Sequence, residues 1–342
     1  MKWIACIVAL GVLTCSAAAQ LAVGRPSSGS GAFATSGSLT IIPILTTEKA
    51  NVGKYITLAE ATAKGLVEIV EIPGNQQVNA LQVRNKSDLP LMLVAGELLI
   101  GGKQDRIVAK DFIIQPHSRA EVPVFCVEHG RWTPGVDRFK GGDTFVPEQV
   151  RQAALQGGQG LSIGSGTSMN QQGVWDEVAS VNKSAGTAPE TGTVRGTLDD
   201  PKVRAKIDAL TDELDRSVEN SSRTVGMMVW LNGKILTADV FANHSLFDAS
   251  RMKLLRSYAV DAYLAKDAKA VPVDIAACRK FLEAIVKSKR EMGSKTDFGN
   301  LYQVQGGDIS GYESGSGSFG GGAGGAGRAG FGHGNYRPGK GQ

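Results

Sequence analysis

Residues 78–132, VNALQVRNKSDLPLMLVAGELLIGGKQDRIVAKDFIIQPHSRAEVPVFCVEHGRW, decide the fold. Val78, Leu81 and Val83 lead into the turn Asn85-Lys86-Ser87-Asp88, and Leu89 to Leu99 follow as an apolar run. Gly101-Gly102 can reverse the chain, because glycine reaches positive φ without a Cβ penalty. Ile107 to Ile114 then read as a second apolar strand, Gln115-Pro116-His117-Ser118 as a second turn, and Glu121 to Val127 as a third strand. Short strands separated by polar turns predict an antiparallel sandwich or barrel, not a helical domain.

Toward the N-terminus, Ile41 to Leu45 give a short strand, and Pro43 inside it argues for an edge. Leu58 to Gly65 read as a short helix and Leu66 to Ile72 as an alternating strand. Toward the C-terminus, Arg131 to Asp143 form a loop and Pro147 to Ala154 a short helix. Asp200-Pro201 opens a longer helix whose apolar stripe is Val203, Ile207, Leu210, Leu214 and Val218. The segments flanking Asn232-Gly233 read as a hairpin. Further helices run from Ser245 to about Lys266 and from Asp274 to Arg290, and Leu301 to Val304 return as an edge strand. The expectation is an α+β fold. It has an antiparallel β-sandwich-like core over 40–132, completed by the hairpin at 224–241, with three packed helices in the C-terminal half.

The chain has 342 residues, 42% of them hydrophobic and 20% charged, as in a soluble globular protein. Met1-Lys2, the apolar run Trp3 to Leu13 and Ala17-Ala18-Ala19 match a signal peptide over 1–19, so export to the periplasm or beyond the cell is expected. That apolar run is too short to span a bilayer, which argues against stable membrane insertion. Residues 20–39 read as a flexible lead, 40–305 as a single domain with a Gly/Ser-rich insertion at 157–195, and 306–342 as a disordered glycine-rich tail. A net charge of +4 without a basic block gives no support for nucleic-acid binding. Past residue 19 only Cys126 and Cys278 remain, as one bridge or as two buried small hydrophobes, and their apolar neighbours favour the second.

Polar groups that strand periodicity does not explain mark the candidate site. Glu97 and Glu128 are candidate catalytic carboxylates for acid–base work. Lys103, Gln104, Arg106, His129, Arg131 and Trp132 are candidate ligand-binding residues, the arginines clamping an anion and Trp132 stacking on a ring. The structural alternative makes Glu97–Arg106 an ion pair and Trp132 a lid on the core. The four histidines form no paired ligand motif, and no Walker loop, dinucleotide fingerprint or GxSxG elbow is present, so neither a metal nor a cofactor is expected. The best reading is a small anionic or ring-bearing ligand held in a polar recess. A hydrolase using Glu97 and Glu128, and a purely structural or protein-interaction domain with an unspecified partner, are the alternatives.

GELLIGGKQDR (96–106) and PVFCVEHGRW (123–132) resemble a bacterial domain family named for its association with ADP-ribosylglycohydrolases and rhodanese–phosphatase-superfamily proteins. The resemblance covers roughly 40–305. It brings no established reaction, and its name implies at most a link to ADP-ribose or nucleotide metabolism.

Overall fold

The computed structural model describes residues 21–24, 33–46, 54–72, 78–131, 137–157, 170–266, 270–296, 299–306, 309–315 and 331–339. The signal-like stretch 1–19, residues 25–32 of the lead and residues 158–169 of the insertion lie outside them.

Along the chain the first elements are β1 (Leu21–Val23), β2 (Ala34–Ser36), β3 (Leu39–Thr46), β4 (Ile56–Thr57) and α1 (Leu58–Ala63). There follow β5 (Val67–Glu71), β6 (Ala80–Asn85), β7 (Leu91–Leu93), β8 (Glu97–Gly101), β9 (Arg106–Val108), β10 (Phe112–Ile114), β11 (Arg119–Cys126) and β12 (Arg138–Phe145). The helical section is α2 (Glu148–Gly157), α3 (Gln171–Ala185), α4 (Val194–Leu198) and α5 (Pro201–Ser217). The hairpin β13 (Thr224–Leu231) and β14 (Lys234–Phe241) precedes α6 (His244–Leu264) and α7 (Ile275–Lys287). Strands β15 (Lys289–Thr296), β16 (Gly299–Gly306), β17 (Ile309–Gly315) and β18 (Phe331–Pro338) end the chain.

The fold is α+β, but its core is not the expected sandwich. Strands β11-β6-β5-β12-β8-β9 form a closed barrel, sealed where β9 pairs with β11. Leu81, Val83, Leu99, Val108, Val122 and Val124 share one cluster of buried side chains within it. Closure leaves these six strands no free edge, which a two-sheet sandwich would have to protect.

Breaks in two apolar runs produce this result. Gly96, at φ 84°, splits Leu89–Leu99 into β7 and β8, and Lys110-Asp111 split Ile107–Ile114 into β9 and β10. The inner halves β8 and β9 pair in the barrel, while β7 and β10 pair with each other in a three-stranded sheet with β4. The Ala95 N–H donates to Asp111 Oδ1 at 2.8 Å, tying the two breaks together.

The expected hairpin does not complete the barrel. It lies in a nine-stranded sheet ordered β1-β3-β13-β14-β18-β17-β16-β15, with β2 also paired to β3. Pro43 does not mark an edge, because β3 runs between β13 on one side and β1 and β2 on the other. Its carbonyl accepts from Gly24 N–H at 2.9 Å on the side where β1 has ended and β2 has not begun, so the missing proline N–H costs no ladder bond. Strand β16 is likewise interior, between β15 and β17. Within the glycine-rich stretch 306–342, residues 309–315 and 331–338 are strands, whereas 316–330 lie outside the described residues. Within 157–195, α3 runs over Gln171–Ala185 and buries Val174, Val178 and Val181.

Helices α5, α6 and α7 supply Leu214, Leu254, Tyr258, Phe281 and Ile285 to the cluster that holds Met227 and Val229 of the large sheet. Cys126 and Cys278 are both free and buried, and burial pushes both thiols up, Cys278 to about 11.

Candidate functional site

Asp239 lies on β14 with no solvent exposure, and a buried carboxylate requires compensation from charge and hydrogen bonds. Arg151 of α2 grips it with both terminal nitrogens, Nη2 to Oδ1 at 2.7 Å and Nη1 to Oδ2 at 3.1 Å. The Tyr258 hydroxyl donates to Oδ2, and Asn335 Nδ2 to Oδ1 at 3.3 Å. His333 of β18 bridges two carboxylates, Nε2 to Asp239 Oδ1 at 2.9 Å and Nδ1 to Asp111 Oδ2 at 2.7 Å. Both ring nitrogens face acceptors, so the imidazole is doubly protonated. Burial opposes that charge, but Asp111 and Asp239 outweigh it and hold His333 up at about 9. Burial also works against the charge on Asp239, yet Arg151 and His333 keep its carboxyl below the usual range.

The outer end of this network meets a recess. Glu148 opens α2, and its Oε1 accepts from Gln152 Nε2 at 2.6 Å; that same nitrogen reaches Asn335 Oδ1 at 2.9 Å. Burial, with Asp239 behind it, pushes Glu148 up to about 7 despite the Arg151 charge. Below it, Asp261 accepts the Glu148 N–H at 3.1 Å, and burial next to Glu148 raises its carboxyl well above normal. Glu148 and Gln152 line a hollow of about 550 Å³, whose other walls include Gln149, Glu177, Lys234 and Arg337. Gln152 Oε1 is itself buried, without a hydrogen-bond partner among the described residues.

The residues singled out from sequence fall into two separate groups. Glu97, at the start of β8, accepts from Val94 N–H at 2.9 Å and from Lys253 Nζ at 2.9 Å; Arg106 is not its partner. Glu128 accepts from Arg131 Nε at 2.8 Å, Thr191 Oγ1 at 2.7 Å and Asp105 N–H at 3.1 Å. Burial opposes its ionisation, but Thr191, Asp105 and Arg131 together hold it below its ordinary value. Arg131 also donates to Asp105 Oδ1 at 3.1 Å and to the Gly102 carbonyl at 3.0 Å, at the far end of β8 from Glu97. Four strand residues at ~3.3 Å each make the two ends of β8 about 13 Å apart, with Glu97 at one end and the Arg131 that holds Glu128 at the other. Glu97 and Glu128 therefore do not form an acid–base pair of short reach.

Gln104 donates to the Glu128 carbonyl at 2.7 Å, and Arg106 donates to the Gln104 and Val78 carbonyls at 2.6 and 3.2 Å, while its buried Nη2, 3.7 Å from Glu71, makes no hydrogen bond among the described residues. The Lys103 N–H reaches Glu71 Oε1 at 3.3 Å. His129 meets Trp175 edge-on at 4.5 Å between ring centroids, and Trp132 lies outside the described residues. These groups clamp the mouth of the β8–β9 hairpin to the end of β11.

Sequence reasoning did not reach the network on Asp239. A signal existed in Glu148 and Arg151, one helical turn apart on a short helix, and in Asp239 inside the apolar strand KILTADVF. His333 carried none, standing as it does in a glycine-rich stretch.

Among the described residues no group of three or more His, Cys, Asp or Glu is placed to hold a metal ion, and no helix is long and apolar enough to cross a membrane. Over residues 27–318 the chain matches the family ARPP-1, described as the ARG and Rhodanese-Phosphatase-superfamily-associated Protein domain, and the chain belongs to that family. No curated protein and no solved structure matches it.

Proposed function

We propose that the protein binds a small anionic, hydroxyl-bearing ligand in the recess floored by Glu148 and Gln152. The observation that carries this reading is the hollow of about 550 Å³ itself, walled by Gln149, Gln152, Lys234 and Arg337. A concave hollow with a few convergent polar side chains is the kind of surface a small polar ligand occupies. Gln149 offers a donor and an acceptor, the pairing a polyol uses, and Lys234 and Arg337 bring positive charge to the walls. The test is calorimetric titration of sugar acids such as galacturonate and gluconate into the full chain. Saturable binding that Gln152→Ala or Lys234→Ala weakens at least about tenfold supports the reading. Equal binding by all three proteins, or none to the wild type, overturns it.

The site also has a pH signature. Glu148 is uncharged below about 7, so an anionic ligand binds more tightly there and more weakly as pH rises through that value. Glu148→Gln should flatten this dependence, as isothermal titrations at pH 6 and pH 8 will show. Residues 1–19 support an exported binder, and an intact mass beginning at Gln20 in material from the native compartment would check that placement.

A further inference from the structure

The recess is not closed on every side. It shares Gln156, Arg337 and Gly339 with a second hollow of about 700 Å³ that spreads over the last four strands. Register fixes what that surface presents. Lys289 stands opposite Gln305, Gln305 opposite Ser310, and Ser310 opposite Arg337. A second row, two residues along each strand, runs Glu291, Gln303, Tyr312 and Asn335. Alternate strand residues share a face, so the two rows lie side by side. Three strand spacings of ~4.8 Å make each row about 14 Å long. The first row ends at Arg337, on the wall of the recess; the second ends at Asn335, bonded to Gln152 on its floor.

A solvated face of an antiparallel sheet is ordinarily polar. This face differs in being hollow and in bordering the recess at Arg337. Its positive groups, Lys289 and Arg337, lie on the first row, and its one carboxylate, Glu291, on the second. A ligand along the rows would set its acid groups over the first and its hydroxyls over the carboxamide of Gln303. Both rows cross the strands, so an extended peptide lying in the hollow could not add to the sheet ladder.

Building on the ligand reading above, we propose that the recess is the end of a groove for a short acidic oligosaccharide, with the terminal unit over Glu148 and Gln152 and the following units along the two rows. Titrating galacturonic acid and its dimer, trimer and tetramer into the full chain tests this. Affinity should rise at least about tenfold from monomer to trimer. The double variant Gln303→Ala/Gln305→Ala should lose that rise while keeping the monomer affinity and the unfolding midpoint. If the monomer binds and longer chains gain nothing, the groove is overturned and the recess stands. If no length binds, the recess reading falls and takes the groove with it. If a neutral tetramer such as cellotetraose binds as tightly as the acidic one, the acidic assignment is overturned.

Discussion

Asp239 accepts from four side chains, Arg151, Tyr258, His333 and Asn335, and removing the strongest of them isolates a charge in the core. Arg151→Met should cost about 3–5 kcal/mol in denaturant unfolding, because Asp239 is left with too little compensation. Adding Asp239→Asn should recover part of the loss by removing the stranded charge, and a double-variant cycle measures how much. His333 gives a second prediction, with its sign set by linkage. Its pKa rises from 6.5 to about 9 on folding, so its contribution is complete below pH 6.5 and is lost as pH climbs to about 9. That loss is on the order of 3 kcal/mol. Glu148, raised from 4.5 to about 7, makes stability fall with pH over that lower window as well. Lys110, lowered by burial to about 8, restores a part above pH 8. Stability should therefore decline from about pH 5 to pH 8 and level off above it, and His333→Gln should remove the upper section of the decline in urea titrations. At this scale the sequence exposed polar residues but not their partners: Glu97 finds Lys253, 156 positions away, by tertiary packing alone.

Elements were legible where local chemistry decides them. Asp200 caps α5 as the Asp-Pro pair implies, accepting from Val203 N–H at 3.1 Å, and Asp274, where α7 was expected to start, accepts from Ala277 N–H at 3.0 Å. Asn232 and Gly233, at φ 54° and 79°, make the hairpin turn. Where two caps compete the reading moved: Asn243, not Ser245, holds the Leu246 N–H at 2.9 Å and starts α6. The breaks inside the apolar runs were not legible, since Gly96 looks like any glycine until its φ of 84° is known. That position supplies an element-scale prediction. A Cβ on Gly96 would come to 2.9 Å from Arg151 Cγ, and Arg151 cannot yield without loosening Asp239. Gly37, at φ 58°, has nothing within 4 Å of such a Cβ. Gly37→Ala should then cost only the left-handed backbone term, about 1–2 kcal/mol. Gly96→Ala should cost clearly more, and equal midpoints for the two variants would contradict the assigned clash.

For the whole molecule, the decisive point is that the last described strand is central to its sheet. β18 pairs with β14 on one side and β17 on the other, so the β15–β17 meander reaches the rest of the sheet through it. Its composition hides this, because FGHGNYRP carries almost no apolar pattern and its burial is polar: His333 on Asp239 and Asp111, Asn335 on Thr237 and Gln152. One of its two glycines is structural. A Cβ on Gly334 would collide with the Tyr336 hydroxyl, which donates to Glu313 Oε1 at 2.8 Å. A chain ending at residue 330 should lose cooperative unfolding: it strands two β edges, leaves Asp111 and Asp239 without their shared cation, and removes Arg337 from both hollows. A peptide spanning 331–339, added in trans, should restore the transition in proportion to its concentration. Circular dichroism during urea titration reads both steps. A truncated chain that unfolds at the wild-type midpoint would show that the strand is an ornament on a complete domain.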